Sequence, residues 1–268
     1  MANLENFSVA TFNVNSVRSR LHILEPWLKS SDSPTILCLQ ETKCQDSEFP
    51  QNFFENLGYN AYFKGMKSYN GVAVLSKIKA DNILLGLPEV EDEAKVESEA
   101  CRVIRVTFGD ITIMNTYIPQ GKDITHTDYP YKIRFFERIY KMLQGYYSPE
   151  QNIIWVGDIN VARTEFDIAQ PKGKKDNVCF HIDVRNAFEN VIDWGFTDLF
   201  RKFLPEPGNF TFWDYRVKNS LERNIGWRID HILATSKISN RAKNLLVEKR
   251  FRALERPSDH TAVVAYFK

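Results

Sequence analysis

The stretch Asn152-Ile153-Ile154-Trp155-Val156-Gly157-Asp158-Ile159-Asn160 constrains the fold more than any other part of the chain. A run of apolar, largely β-branched and aromatic residues without two-residue alternation reads as a buried strand. Gly157 lets the backbone leave such a strand tightly and lets a ligand come close. Asp158 and Asn160 then stand at the strand's C-terminal end, where a sheet delivers side chains to a cleft. An ordinary turn uses the same residue types, so the stretch alone does not decide between turn and site. The decision comes from recurrence: several other apolar strands in the chain also end in polar residues.

A length of 268 residues with 43% hydrophobic content supports a substantial core, folded as one domain spanning 1–268. The 35 basic and 34 acidic residues leave a net charge of +1, so bulk charge argues neither for nor against a polyanionic partner. Cys38, Cys44, Cys101 and Cys179 form no metal-binding or disulfide spacing, which fits a reducing cytosol. The N-terminus lacks the charged and apolar regions of a signal peptide, and no apolar run approaches the roughly 20 residues that span a bilayer. A cytoplasmic protein is expected.

In chain order, Phe7 to Val14 reads as a strand running into Asn13 and Asn15. Ser16 is placed to cap a helix whose inner face carries Val17, Leu21, Leu24 and Leu28, with Pro26 kinking or shortening it. Thr35 to Leu39 is a strand running into Gln40 and Glu41. Phe49 to Leu57 is a helix ended by Gly58, and Tyr59–Lys64 and Gly71–Ser76 are paired strands. Pro88 to Glu99 is acidic and reads as a solvated loop. Val103–Phe108 and Ile111–Tyr117 form a hairpin through Gly109 and Asp110. Tyr129 to Tyr146 and Val184 to Trp194 are helices. Asn209 to Arg216 is rich in aromatics, for many of which a place in the core of a strand is sufficient. Asp230 interrupts the apolar strand Arg228–Leu233, where a charge is costly unless paired. Ser258-Asp259-His260 precedes a last strand, Thr261–Phe267. Helices alternating with hairpin-connected strands favour a mixed sheet pair with outer helices.

The polar residues gathered at these strand ends are Asn13, Asn15, Glu41, Tyr117, Asp158, Asn160, Asp230, Asp259 and His260. Such an oxygen-rich set suits Mg²⁺ or Mn²⁺ rather than zinc. Asp230 beside His260 makes an acid-oriented imidazole. Asp158 then serves as general base on water, and Asn160 donates to the oxygens of a phosphorane. This chemistry is metal-assisted phosphodiester hydrolysis.

The order of these motifs resembles the exonuclease III family of abasic-site endonucleases, within the endonuclease/exonuclease/phosphatase superfamily. The resemblance runs through Phe12-Asn13-Val14-Asn15-Ser16-Val17-Arg18, Leu39-Gln40-Glu41-Thr42-Lys43, Tyr69-Asn70-Gly71-Val72-Ala73, Asn115-Thr116-Tyr117-Ile118-Pro119, Gly157-Asp158-Ile159-Asn160-Val161-Ala162 with Asp167, Thr211-Phe212-Trp213, Trp227-Arg228-Ile229-Asp230 and Ser258-Asp259-His260. It implies an α/β fold, a four-layer α/β/β/α sandwich of two mixed sheets with helices outside. It also implies a Mg²⁺-dependent monomer that cuts duplex DNA 5′ to abasic sites, with 3′–5′ exonuclease and 3′-phosphodiesterase activity, in nucleoid-associated DNA repair. By matched position it implies Glu41 and Asp259 as metal ligands, with Asn15 and Asn13 beside them. Tyr117, Asn160 and His260 are implied as phosphate contacts, Asp158 as the residue that activates water or protonates the leaving group, and Asp230 as the partner of His260. Phe212, Trp227 and Ile229 match an apolar pocket for an extruded base-less sugar, and Arg216 a side chain wedged into DNA.

Where many relatives carry Gly-Phe-x-Pro-Glu-Glu-Arg, this chain has Cys179-Phe180-His181-Ile182-Asp183-Val184-Arg185, after a basic loop Gln170–Lys175. The departure bears on the balance between endonuclease and exonuclease. Two other readings are a phosphatase of inositol phosphates or sphingomyelin, against which the aromatic pocket argues, and a non-catalytic relative, against which the presence of Asp158, Asp230 and His260 argues.

Overall fold

The computed structural model describes residues 4–88 and 96–268. In chain order the strands and helices are β1 (Phe7–Asn13), α1 (Leu21–Lys29), β2 (Ile36–Gln40), α2 (Gln51–Asn56), β3 (Asn60–Lys64), β4 (Val72–Ser76), β5 (Asn82–Leu85), α3 (Val96–Ala100), β6 (Val103–Phe108), β7 (Ile111–Tyr117), α4 (Asp128–Tyr146), β8 (Asn152–Asp158), α5 (Ile182–Asp193), β9 (Phe196–Asp198), α6 (Leu199–Phe203), β10 (Asp230–Thr235), α7 (Ser236–Arg241), β11 (Ala242–Val247) and β12 (Val263–Phe267). Among the described residues the strands form two six-stranded sheets, ordered β11-β12-β1-β2-β4-β3 and β5-β6-β7-β8-β10-β9. Each sheet holds one parallel pair, β1 with β2 and β7 with β8, and the other pairings are antiparallel.

Three apolar layers separate four layers of structure. Ile154 and Val156 of β8 face Val9, Cys38, Val74 and Val263 of the other sheet. Ile153 and Trp155, one residue out of phase, face Phe135, Ile139 and Leu143 of α4 and Val184 and Phe188 of α5. On the far side, Ala10 and Phe12 of β1 pack on Leu24, Trp27 and Leu28 of α1. These strands are buried on both faces, which is why the sequence shows continuous apolar runs instead of alternation. Each fully buried large apolar side chain contributes about 1.5–3 kcal/mol relative to exposure. The four-layer sandwich implied by the resemblance is the fold observed.

Topology concentrates one edge of the molecule. The C-terminal ends of β1, β2, β7 and β8 emerge there, and β10, antiparallel to β8, begins there with Asp230 opposite Asp158. Beneath that edge the sheets are zipped by buried amides. Gln40 Nε2 donates to Asn115 Oδ1 at 2.6 Å, and Asn115 Nδ2 donates to the Leu39 and Ala73 carbonyls at 3.0 and 2.9 Å.

Several local expectations are corrected. Gly157 lies inside β8 at φ 144°, and a Cβ there would sit 1.9 Å from the Thr116 carbonyl oxygen, so the close approach it permits is to β7, not to a ligand. Ser16 caps no helix: its Oγ meets Ser19 Oγ at 3.1 Å, and a 3₁₀ turn over Arg18–Arg20 precedes α1. Pro26 sits within α1, which continues to Lys29. Asn209 to Arg216 makes only isolated bridges, Phe212 to Trp227 and to His260, because it crosses strand ends instead of extending a sheet. The expected solvated loop Pro88–Glu99 falls partly outside the described residues, at 89–95. Its end is the helix α3, where Glu99 is fully buried because Arg138 grips both its oxygens at 2.8 Å.

Candidate active site

The sharp exits of β1, β2 and β8 place the polar groups. Asn15, Glu41 and Asn160 all take the left-handed backbone conformation, at φ 44°, 52° and 54°. Asparagine tolerates that region, whereas for Glu41 it is a strained geometry held by its surroundings. Thr42 N–H donates to the Gly71 carbonyl at 3.2 Å and Ser16 N–H to the Glu41 carbonyl at 2.8 Å, so the Glu41 turn is pinned on both sides.

Asp158 is the centre of the polar cluster. Its Oδ2 accepts from Asn13 Nδ2 at 2.8 Å and its Oδ1 from the Asn160 N–H at 3.1 Å. The same Asn13 amide donates to Glu41 Oε1 at 2.7 Å and so bridges two carboxylates, while its own Oδ1 accepts the Asn15 N–H at 3.0 Å. Burial pushes the Asp158 pKa well up; the His260 cation opposes this, and the charges of Asp230 and Glu41 add to it. His260 Nδ1 pairs with Asp230 Oδ2 at 2.8 Å. Burial disfavours the imidazolium, but Asp230 and Asp158 together outweigh it and hold His260 protonated well above its usual range. Its Nε2 lies 3.7 Å from Asp158 Oδ2, beyond hydrogen-bond reach, so that N–H points at the cleft with its bonding capacity unspent. The Tyr117 hydroxyl bonds to Glu41 and is held protonated by burial and by the Glu41 and Asp158 charges. Asn160 gives one amide proton to the Ile118 carbonyl at 3.1 Å, leaving the other.

The hard-cation reading finds matching donors. Lys43 Nζ sits 2.7 Å from Glu41 Oε2 and 2.6 Å from Asn15 Oδ1, and Asn15 Nδ2 donates to Asp259 Oδ1 at 3.0 Å. A positive charge is therefore already held by the oxygens assigned to a cation, and an all-oxygen set of this kind suits Mg²⁺ or Mn²⁺. Glu41, Asp158 and His260 offer atoms within 4.8 Å of one another. Of the three, His260 is also tied to Asp230 through Nδ1.

The cluster opens into a cleft of about 500 Å³ that Phe212, Trp227, Ile229 and Arg216 also line. The Phe212 loop is stitched to both sides of it. Phe212 N–H and the Trp227 carbonyl meet at 2.9 Å, Trp213 N–H donates to the Asp259 carbonyl at 2.8 Å, and Thr211 Oγ1 accepts from the Ile229 and Asp230 amides at 3.2 Å each. Apolar wall and polar cluster are thus joined by backbone hydrogen bonds. Arg216 is exposed and paired with Asp214 at 2.7 Å. From the altered segment, Cys179 lines the cleft with Lys174 and Asn177, while His181 turns away to accept from Tyr129 and the Asp183 amide at the start of α5.

Residues 10–260 match the model of the endonuclease/exonuclease/phosphatase family. The chain belongs to that family. It is 32% identical to exodeoxyribonuclease III of Haemophilus influenzae over 266 residues, covering 96% of this chain and 98% of that protein. An AP endonuclease from Archaeoglobus fulgidus superposes with a TM-score of 0.92 at 42% identity, over 98% of this chain and 99% of the other. A 3′ phosphatase from Neisseria, bound to product DNA hairpin, superposes at 0.89 with 31% identity, over 98% and 99%. The chain stands with the exonuclease III group of this family and is a hydrolase; among its described residues no helix is long and apolar enough to cross a membrane.

Sequence reasoning missed three groups that hold the site. Asn115, within a resemblance motif but absent from the strand-end set, joins the two sheets beneath the cleft. Arg228 is fully buried, with Nε and Nη2 on Asp167 at 2.7 and 3.0 Å and Nη1 on Asp198 at 2.9 Å. Its Nη1 also meets His231 Nδ1 at 3.2 Å, so that nitrogen accepts and Nε2 carries the proton to the Val161 carbonyl at 2.8 Å; burial then Arg228 push the His231 pKa down to about 3. The third group is Lys132. Its place in the sequence gave a signal: it lies three residues from Tyr129 and from Phe135, on the apolar face of α4.

Proposed function

We propose that this chain is a Mg²⁺-dependent DNA-repair phosphodiesterase, a single catalytic domain acting as a cytoplasmic monomer. It cuts duplex DNA 5′ to abasic sites and trims blocked 3′ ends. The observation that carries the reading is the juxtaposition of a buried carboxylate, a carboxylate-held imidazolium and an apolar pocket in one cleft: Asp158, His260 with Asp230, and Phe212 with Trp227 and Ile229. The relatives' names agree with it: AP endonuclease, exodeoxyribonuclease III, 3′ phosphatase.

In this reading Asp158 takes a proton from water as its oxygen attacks phosphorus, the bond from phosphorus to the 3′-oxygen breaks, and the departing 3′-oxygen takes a proton from solvent to leave as the 3′-hydroxyl. Raised proton affinity makes Asp158 a stronger base than a surface aspartate. The His260 N–H, the remaining Asn160 amide proton and the Tyr117 hydroxyl face the oxygens on which charge builds, and each such donor is worth roughly 10²–10³-fold in rate. Glu41, Asp259 and Asn15 would hold Mg²⁺, which supplies charge neutralisation at the phosphate when bound. A sugar without a base is small and apolar enough for the Phe212–Trp227–Ile229 wall, and a normal nucleotide is not.

Cleavage of a duplex carrying one abasic analogue tests the reading. It is expected with Mg²⁺ and abolished by EDTA; cleavage undiminished by EDTA would remove the metal. Trp227→Ala opens the pocket. It is expected to lower cleavage at the abasic site by an order of magnitude or more while affinity for intact duplex stays within about threefold, measured side by side. Equal losses on abasic and intact DNA would refute the pocket assignment. The inositol phosphatase reading predicts phosphate release from inositol phosphates, and none is expected.

A further inference from the structure

We infer that Lys132 is a positioning residue for the phosphate-facing wall of the cleft; the inference rests on the phosphodiesterase reading above. Lys132 is fully buried in the first turns of α4. All three of its protons go to backbone carbonyls: Gln120 at 3.1 Å, Asn160 at 2.7 Å and Val178 at 2.9 Å. Among the described residues no carboxylate reaches it. Burial accordingly pushes its pKa down, against the opposing influence of Cys179 and Asp158.

A buried ammonium of this kind is expensive, and an apolar side chain of the same length would spare that cost. What the charge accomplishes is spatial. The three carbonyls belong to three separate segments that converge on the cleft. Gln120 closes the segment that begins with Tyr117, Asn160 follows Asp158, and Val178 precedes Cys179. Gln120, Asn160 and Cys179 all line the cleft. The exits of β7 and β8 supply the first two carbonyls and the loop before α5 the third, and one ammonium satisfies all three, as backbone groups buried away from water require. The fit is close on the stem side too: a Cβ on Gly121 would lie 3.3 Å from Lys132 Cδ and 2.9 Å from Val178 Cγ2. With its carbonyl fixed by Lys132 and its amide by Asp158, the Asn160 backbone is held at both ends and the side chain is aimed by default.

Lys132→Met keeps the apolar stem and removes the three bonds. On an abasic duplex, kcat is expected to fall roughly 10²-fold, the loss that a misplacement near 1 Å produces, with KM little changed. A general loss of stability would not give that split. Leu24→Ala, which empties space in the opposite helix layer, serves as the destabilised control and is expected to keep kcat. The second readout needs no activity. Cys179 is the one cysteine in the cleft wall, and Cys38, Cys44 and Cys101 are buried elsewhere. Alkylation by iodoacetamide, mapped by mass spectrometry, is expected to speed up at Cys179 alone in Lys132→Met, because the Val178 tether is gone; unfolding would expose all four. If Lys132→Met does not fold, Lys132→Gln, which keeps an amide donor in the space, is read by the same two measurements. Unchanged relative alkylation at Cys179, or a kcat matching that of Leu24→Ala, overturns the assignment. Faster Cys179 alkylation in a protein without nuclease activity would uphold the tether and overturn the phosphodiesterase reading instead.

Discussion

Asp158→Asn is expected to reduce kcat for abasic-site cleavage by about 10²–10⁴-fold, the range for removal of a general base, with affinity for the abasic duplex largely retained. The substitution preserves shape. It also puts an amide nitrogen against a donor in either orientation, Asn13 Nδ2 at 2.8 Å or the Asn160 N–H at 3.1 Å, so one of these hydrogen bonds is lost. Some loss of stability is therefore expected beside the loss of rate, and single-turnover kinetics at saturating enzyme separate the two. Binding should hold or strengthen, because a buried negative charge is removed from a cleft that receives phosphate. A variant that retains wild-type kcat would take Asp158 out of the mechanism.

Arg228→Met is expected to cost roughly 3–5 kcal/mol of stability, as when one partner of a buried ion pair is deleted. Asp167 and Asp198 are then left in the interior, Asp198 with the Arg201 amide at 3.3 Å and Arg163 at 3.8 Å, and Asp167 with Arg201 and the Thr164 amide. Burial alone would raise both carboxyls, yet Arg228 holds them below the ordinary carboxylate range. A carboxyl whose folded-state pKa is depressed contributes stability above about pH 4 and loses it as pH falls through the folded value. In Arg228→Met the carboxyls protonate readily in the folded state. The deficit should therefore be greatest near neutral pH and narrow below about pH 4. Urea denaturation of both proteins across that range measures it; a deficit that does not vary with pH would show that lost packing, not stranded charge, dominates. Trp227 and Ile229 flank Arg228, and its N–H donates to the Asp167 carbonyl at 2.8 Å, so the same substitution is expected to blur lesion selectivity.

The main strands and the site they carry were readable because two physical signals coincide. Strands buried on both faces must be apolar throughout, and a strand that ends at a cleft turns abruptly polar, as Val156-Gly157-Asp158 and Leu39-Gln40-Glu41 do. Edge elements lack the first signal. Ile83, Leu84 and Leu85 of β5 are exposed on the outermost strand, β9 has three residues, and β11 buries only Ala242 and Leu245 of its six, so none carries a continuous apolar run. Tertiary contacts, not propensity, make them strands. Lys132 and Arg228 are hidden for a different reason: long cations usually lie at the surface, and although the spacing of Lys132 places it on an apolar face, nothing local reveals the carbonyls or carboxylates that arrive from elsewhere in the chain. Gly157 has the property that the sequence implies and a different neighbour, since only the sheet brings the Thr116 carbonyl oxygen to 1.9 Å from where a Cβ would stand.

The central claim is incision 5′ to a base-less sugar, and mapping the product ends tests it most directly. A duplex with one central abasic analogue, labelled at the 5′ end of the lesion strand, is incubated with the protein and Mg²⁺ beside an intact duplex and one with a recessed 3′ end. The account predicts a single internal cut immediately 5′ to the lesion, leaving a 3′-hydroxyl that a polymerase extends, with the intact duplex spared. A ladder from the 3′ terminus with no internal product would contradict it, and would point to the Cys179–Arg185 segment as the feature that turns this cleft from lesion incision to end trimming.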